Sequence, residues 1–122
     1  MKIILLVDDS KTMLLSMEAV LKRAGFNVVT AANGAEGLKQ ITQTKPDLMI
    51  TDLNMPVMDG MTLIKEAKKL PEMRFKPVLM LTTESQQTKR DEAKTAGATG
   101  WLVKPVKPEE LLAVIKQVIP GS

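Results

Sequence analysis

An alternation of short apolar runs with segments of helical periodicity leaves this chain few ways to fold. The runs lie at Ile3–Val7, Asn27–Ala31, Leu48–Thr51, Val78–Thr82 and Gly100–Val103. Ile3-Ile4-Leu5-Leu6-Val7 is apolar at every position of a two-residue repeat, so as a strand it must be buried on both faces. Helices packed on both faces of a parallel sheet supply that environment, and each run is followed by a candidate helix. Five such units, with no linker or internal repeat between them, predict one doubly wound α/β domain over residues 1–122.

The helical segments carry their own punctuation. After Asp9, residues Met13, Met17, Val20, Leu21 and Ala24 share a face, with Ser10 placed as N-cap and Gly25 placed to end the helix. Asn33, with Glu36 three residues on, resembles a capping box for a helix from Gly34 to about Thr42. A third helix begins after Asp59-Gly60 and sets Met61, Ile64, Ala67 and Lys68 along one side. The last has Pro108 in its first turn and Glu109 and Glu110 where the helix dipole favours acids. It presents Leu111, Leu112, Ile115, Val118 and Ile119 before Pro120-Gly121 stop it. The fourth, Ser85–Ala96, has only Ala93 and Ala96 to bury, so weak anchoring and mobility are expected.

Composition narrows the chemistry. The chain has no Cys and no His, which excludes disulfides, thiol nucleophiles, imidazole bases and Cys/His zinc sites. Carboxylates, hydroxyls, lysines and hard oxygen-bound metals remain. The net charge of +3 is mild, and basic residues are dispersed in pairs such as Lys22-Arg23, Lys68-Lys69 and Lys89-Arg90. With Phe26, Phe75 and Trp101 as the aromatics, there is no stacking platform, and no nucleic-acid binding is expected. No apolar stretch approaches the ~20 residues that span a bilayer. Asp8-Asp9 also cut the N-terminal run short of a signal peptide. A cytoplasmic protein without membrane insertion is expected.

In open α/β sheets, ligands bind beyond the carboxyl ends of the strands. Those ends carry Asp8-Asp9, Asp52, Thr82-Thr83 and Lys104-Pro105. Three carboxylates ~5 Å apart, at an effective dielectric of ~20, would repel by roughly 3 kcal/mol per pair, or about 10 kcal/mol together. That rivals the ~5–15 kcal/mol by which a domain is stable. Either a carboxylate protonates or a cation neutralises the group. Oxygen ligands without His or Cys select a hard divalent ion, best Mg²⁺ retaining several waters, with Mn²⁺ able to substitute. A lysine and a hydroxyl opposite the carboxylates suit an incoming phosphoryl group. Asp52 could accept it as a carboxylate nucleophile, forming an acyl phosphate.

Taken in order, VDDS, ITDLNMPVMDG, LTTES and GWLVKP resemble the motifs of the receiver domains of two-component response regulators, over essentially the whole chain. The resemblance implies the flavodoxin-like (CheY-like) fold, a five-stranded parallel sheet in the order 2-1-3-4-5 with helices on both faces. It implies Asp52 as phosphoacceptor. Asp9 and Asp52 would ligate Mg²⁺ directly with the backbone carbonyl of Asn54, and Asp8 largely through bound water. Lys104 would contact the phosphoryl oxygens, and Thr82 would hydrogen-bond to the phosphoryl group and move on activation. Lys104-Pro105 resembles the family's cis peptide, while Asn54 and Glu84 imply a short phosphoryl lifetime. Trp101 occupies the switch position where the family commonly has Tyr or Phe; its indole donates a hydrogen bond but offers no hydroxyl. Val106 stands where chemotaxis receivers often carry Phe.

The function so implied is a signalling switch of the chemotaxis type. A histidine kinase is the phosphodonor. The partner is a downstream target protein bound on the face of the fourth helix, fifth strand and fifth helix. The protein is expected to be a monomer with no output domain, and no enzyme beyond its own phosphorylation and dephosphorylation. A phosphorelay intermediate or a regulator of a non-chemotaxis partner are the alternatives. A Mg²⁺-dependent phosphatase of the haloacid-dehalogenase type is disfavoured, because it needs a second Asp where this chain has Asn54. A module that no longer takes phosphate fits poorly with every acceptor position being intact.

Overall fold

Strand β1 (Ile3–Val7) opens an unbroken alternation of strand and helix in the computed structural model, which describes residues 1–119. It is followed by α1 (Lys11–Arg23), β2 (Asn27–Ala31), α2 (Gly34–Thr44), β3 (Leu48–Thr51) and α3 (Gly60–Ala67). Then come β4 (Val78–Thr82), α4 (Gln87–Ala96), β5 (Gly100–Val103) and α5 (Pro108–Val118). The stop expected at Pro120-Gly121 lies outside the described residues. The five strands form one parallel sheet in the order β2-β1-β3-β4-β5. The order reverses at β1, which has β2 on one side and β3 on the other, so the crevice between β1 and β3 opens at their carboxyl ends.

The two-residue repeat of the strands divides the core into two layers. Leu5, Val7, Met49 and Met80 face α2, α3 and α4, where Ile41, Leu63, Ile64 and Ala93 close over them. Ile4, Leu6, Ile50, Leu79 and Leu81 face α1 and α5, against Met17, Leu21, Leu111 and Ile115. Every residue of β3 and β4 is buried, so one strand feeds both layers at once.

The helix ends follow their capping chemistry. Ser10, Asn33 and Asp59 each accept a hydrogen bond from the backbone N–H three residues on, and Gly25 has φ +99°. In α1, Leu14 also packs partly into the core, whereas Ala24 caps the helix and is exposed. Two boundaries differ from the sequence expectation. Helix α2 runs to Thr44, whose hydroxyl donates to the Gln40 carbonyl, and ends on Lys45 at φ 50°. Helix α4 starts at Gln87, and its N-cap Gln86 supplies no side-chain hydrogen bond. Lys68 also departs from its expected place along α3. It caps that helix, and its ammonium donates to the carbonyls of Met73 and Lys76, holding the α3–β4 turn.

Candidate functional site

Three residues are carried just past the ends of their strands by continued ladder hydrogen bonds. The Asp8 N–H donates to the Ala31 carbonyl at 3.1 Å, Asp52 N–H to Val7 at 2.9 Å, and Lys104 N–H to Thr82 at 2.9 Å. Each side chain therefore leaves from backbone held by the sheet. Together they meet over the β1–β3 crevice.

The carboxylates of Asp8, Asp9 and Asp52 place oxygens within 4.8 Å of one another. Lys104 Nζ lies 2.7 Å from Asp8 Oδ2 and 3.4 Å from Asp52 Oδ2. The side chains of Lys104, Asp8 and Asp52 are only 12%, 7% and 13% exposed, so these charges are poorly screened. Burial pulls the Lys104 pKa down, but its hydrogen bond to Asp8 and the charges of both carboxylates outweigh that, and the net shift is upward. The free carboxylate oxygens are partly satisfied by backbone. Asp8 Oδ1 accepts from Ser10 N–H at 3.0 Å and Asp52 Oδ1 from Leu53 N–H at 2.7 Å. Asp9 is exposed and accepts no hydrogen bond from the described residues.

One ammonium against three carboxylates leaves a formal charge of minus two, in a site whose donors are all oxygen. The donor set thus fits a hard divalent cation. Asp8, Asp9 and Asp52 are the side chains that could hold it.

Thr82 ends β4 fully buried, and its hydroxyl accepts from Glu84 N–H at 3.3 Å rather than touching the carboxylates. Glu84 is half-buried and its Oε2 accepts from Ser85 N–H at 3.1 Å. The indole N–H of Trp101 donates to the Glu84 carbonyl at 3.0 Å, so Trp101 ties β5 to the β4–α4 loop without needing a hydroxyl. Asn54 is exposed in the β3–α3 loop, two residues past Asp52, and the Lys104–Pro105 peptide is cis.

Two glycines that the sequence reading used only to mark helix starts support this edge. Gly60 N–H donates to the Leu53 carbonyl at 2.8 Å, and a Cβ at Gly60 would overlap the Asp52 carbonyl oxygen. Gly34 N–H donates to the Met58 carbonyl at 3.2 Å, where a Cβ would stand 2.7 Å from that oxygen. The available signal was a glycine in the first turn of each helix. Glycine is a poor helix former, and it is tolerated there where two backbones must come close.

Residues 4–116 match the response regulator receiver domain family. Protein PilH of Pseudomonas aeruginosa is 37% identical over 118 residues, covering 97% of this chain and 98% of PilH. The chemotaxis protein CheY4 of Vibrio cholerae superposes with a TM-score of 0.94 at 43% identity, covering 98% of this chain and 99% of CheY4. The receiver domain of sensor histidine kinase PA1611 from Pseudomonas aeruginosa, solved with a magnesium ion in its active-site cleft, has a TM-score of 0.88 at 28% identity and 96% coverage of both chains. The chain spans about half the length of the transcriptional regulators it also matches.

Proposed function

The chain belongs to the response regulator receiver domain family, and on that premise we propose that it is a phosphorylation-dependent switch with Asp52 as phosphoacceptor. The observation that carries this reading is the group of Asp8, Asp9 and Asp52 with Lys104 bonded across it. An Asp52 carboxylate oxygen attacks the phosphorus of a histidine kinase's phosphohistidine. The new O–P bond forms as the P–N bond breaks, and the electron pair stays on the imidazole nitrogen, which takes a proton from solvent.

Lys104 exchanges its contact with Asp52 for the arriving phosphoryl oxygens, supplying the positive charge that such transfer requires. Thr82 donates its hydroxyl to the phosphoryl group, releasing the Glu84 N–H that it now binds. Mg²⁺ held by Asp8, Asp9, Asp52 and the Asn54 carbonyl, or Mn²⁺ in its place, would neutralise the residual charge and shield the transferring group. Asn54, two residues past the acceptor, and Glu84, two past Thr82, would shorten the phosphoryl lifetime. Because Trp101 bridges β5 to the loop that follows Thr82, the change reaches α4, β5 and α5, where the target protein of a chemotaxis-type pathway binds.

Intact-mass measurement after incubation with Mg²⁺ and a small phosphodonor tests the reading. Wild type gains one phosphoryl group and Asp52→Asn none. An equal adduct on Asp52→Asn, or none on either protein together with no response to beryllofluoride, overturns it.

A further inference from the structure

The end of the sheet opposite the carboxylates has its own character. Lys2, Lys45 and Lys76 precede β1, β3 and β4, and Asp47 draws these three segments together. Its Oδ2 accepts from Ile3 N–H at 2.8 Å, and its Oδ1 lies 3.5 Å from Lys76 Nζ. Lys2, Lys45 and Arg74 are exposed and enter no ion pair among the described residues. Within this group Phe75, between Arg74 and Lys76, is 90% exposed.

A lone exposed aromatic is ordinary. This one stands on a turn built to hold it out. Met73 is fully buried, the N–H groups of Arg74 and Lys76 donate to Leu70 and Met73, and the Lys68 ammonium closes the turn from beneath. With the backbone fixed and Met73 pointing inward, Phe75 has no core to enter.

We propose that this basic end, with Phe75 at its tip, is a docking surface for an anionic lipid bilayer. Cations surrounding a protruding aromatic fit a plane, where lysines and arginines meet headgroups and the ring enters the interface. An acidic peptide would pair with the cations but leave the 90% exposed Phe75 ring in water, whereas a bilayer interface takes up both.

At this end Asp47 and Glu72 offset two of the four charges of Lys2, Lys45, Arg74 and Lys76, and the carboxylates of the candidate site lie too far away to cancel the remainder. Strands of four or five residues separate the two ends by about 15 Å, beyond the ~8 Å screening length at physiological salt. Docked this way, the carboxylate site faces away from the bilayer and stays open to protein partners. The proposal rests on the charge and exposure of this end alone and stands apart from the role given to Asp52.

Co-sedimentation of the full chain with vesicles tests it. Wild type is expected to sediment with equimolar phosphatidylglycerol and phosphatidylcholine at low salt, to stay in solution with phosphatidylcholine alone, and to release in high salt. Each cation near an anionic surface is worth about fivefold in partition. Arg74→Ala with Lys76→Ala should therefore lower binding roughly 25-fold, and Phe75→Ser by severalfold. All three positions are exposed, so unchanged thermal melts will show that the variants fold. Lys89→Ala with Arg90→Ala, on α4, removes the same net charge elsewhere and should cost less than about threefold. Asp52→Asn should bind as wild type. Failure to sediment with the anionic vesicles overturns the proposal, as does an equal loss from the α4 pair, which would mean net charge alone. Binding that prefers polyglutamate to vesicles would also overturn it, in favour of an acidic protein partner.

Discussion

Asp9 is exposed to water, whereas Asp8 is 5% exposed and Asp52 half-buried. It adds charge to a group that Lys104 only partly offsets, and it is free to take a ligand. Asp9→Asn should raise the melting temperature in metal-free buffer by roughly 2–5 °C, the shift that about 1 kcal/mol gives a domain of this size. It should also remove most of the stabilisation that Mg²⁺ gives wild type. Calorimetric melts with and without Mg²⁺ check this, and a variant that gains as much from Mg²⁺ as wild type would take Asp9 out of the ligand set. Lys104 makes the opposite contribution. Its pKa is lowered by burial and raised further by Asp8 and Asp52, so the folded value exceeds the unfolded one. The stability it supplies is fully present below the unfolded pKa of about 10.4 and is lost as pH rises through the folded pKa. Lys104→Met should be less stable than wild type by a margin that is constant from neutrality to about pH 10 and narrows above it. Urea titrations across that range measure the margin, and widening in alkali would contradict the pairing.

Among the elements, α3 and α4 differ most in how they are held. Helix α3 buries Met61, Leu63, Ile64 and Ala67 and presses its first residue, Gly60, onto the backbone of Asp52. Gly60→Ala must push the two apart, at a cost of about 3 kcal/mol, the upper end for an overpacked site. Urea melts measure that cost, and phosphorylation by a small donor should slow in the same variant. A Gly60→Ala protein as stable as wild type would show that the contact yields easily. Helix α4 buries only Ala93 and lacks a side-chain cap, so its amides should exchange with solvent faster than those of the other helices. Gln86→Ser supplies the missing acceptor and should slow that exchange, stabilising the helix by about 0.5–1 kcal/mol. Hydrogen exchange read by mass spectrometry tests both statements. The sequence already carried the weak anchoring of α4, because an apolar face is counted from residue types. Its first turn was not legible, because Ser85 and Gln86 are equally polar. Ser85 N–H instead bonds the Glu84 carboxylate, and the helix opens at Gln87.

At the scale of the whole molecule, Trp101 links the carboxylate edge to the α4–β5 face. It is the chain's single tryptophan and bonds the carbonyl of Glu84, two residues past Thr82. Its fluorescence should change when beryllofluoride and Mg²⁺ are added to wild type and stay constant in Asp52→Asn. An unchanged spectrum in both would uncouple β5 from the site. That coupling shows where sequence reading stops. The sequence by itself determined all five strand spans, most of the apolar stripes of α1, α3 and α5 and the residues at each strand's carboxyl end. These follow from local period and from where an apolar run meets a polar residue. Which partners those residues take was decided by tertiary structure alone. Asp8 receives Lys104 from 96 residues away, because the β2-β1-β3-β4-β5 order and its register bring the ends of β1, β3 and β5 to one edge. Thr82 turns to Glu84, Lys68 to the α3–β4 turn and Gly60 to Asp52 across only two to eight residues, and these contacts depend on the path each loop takes, which the apolar period does not record.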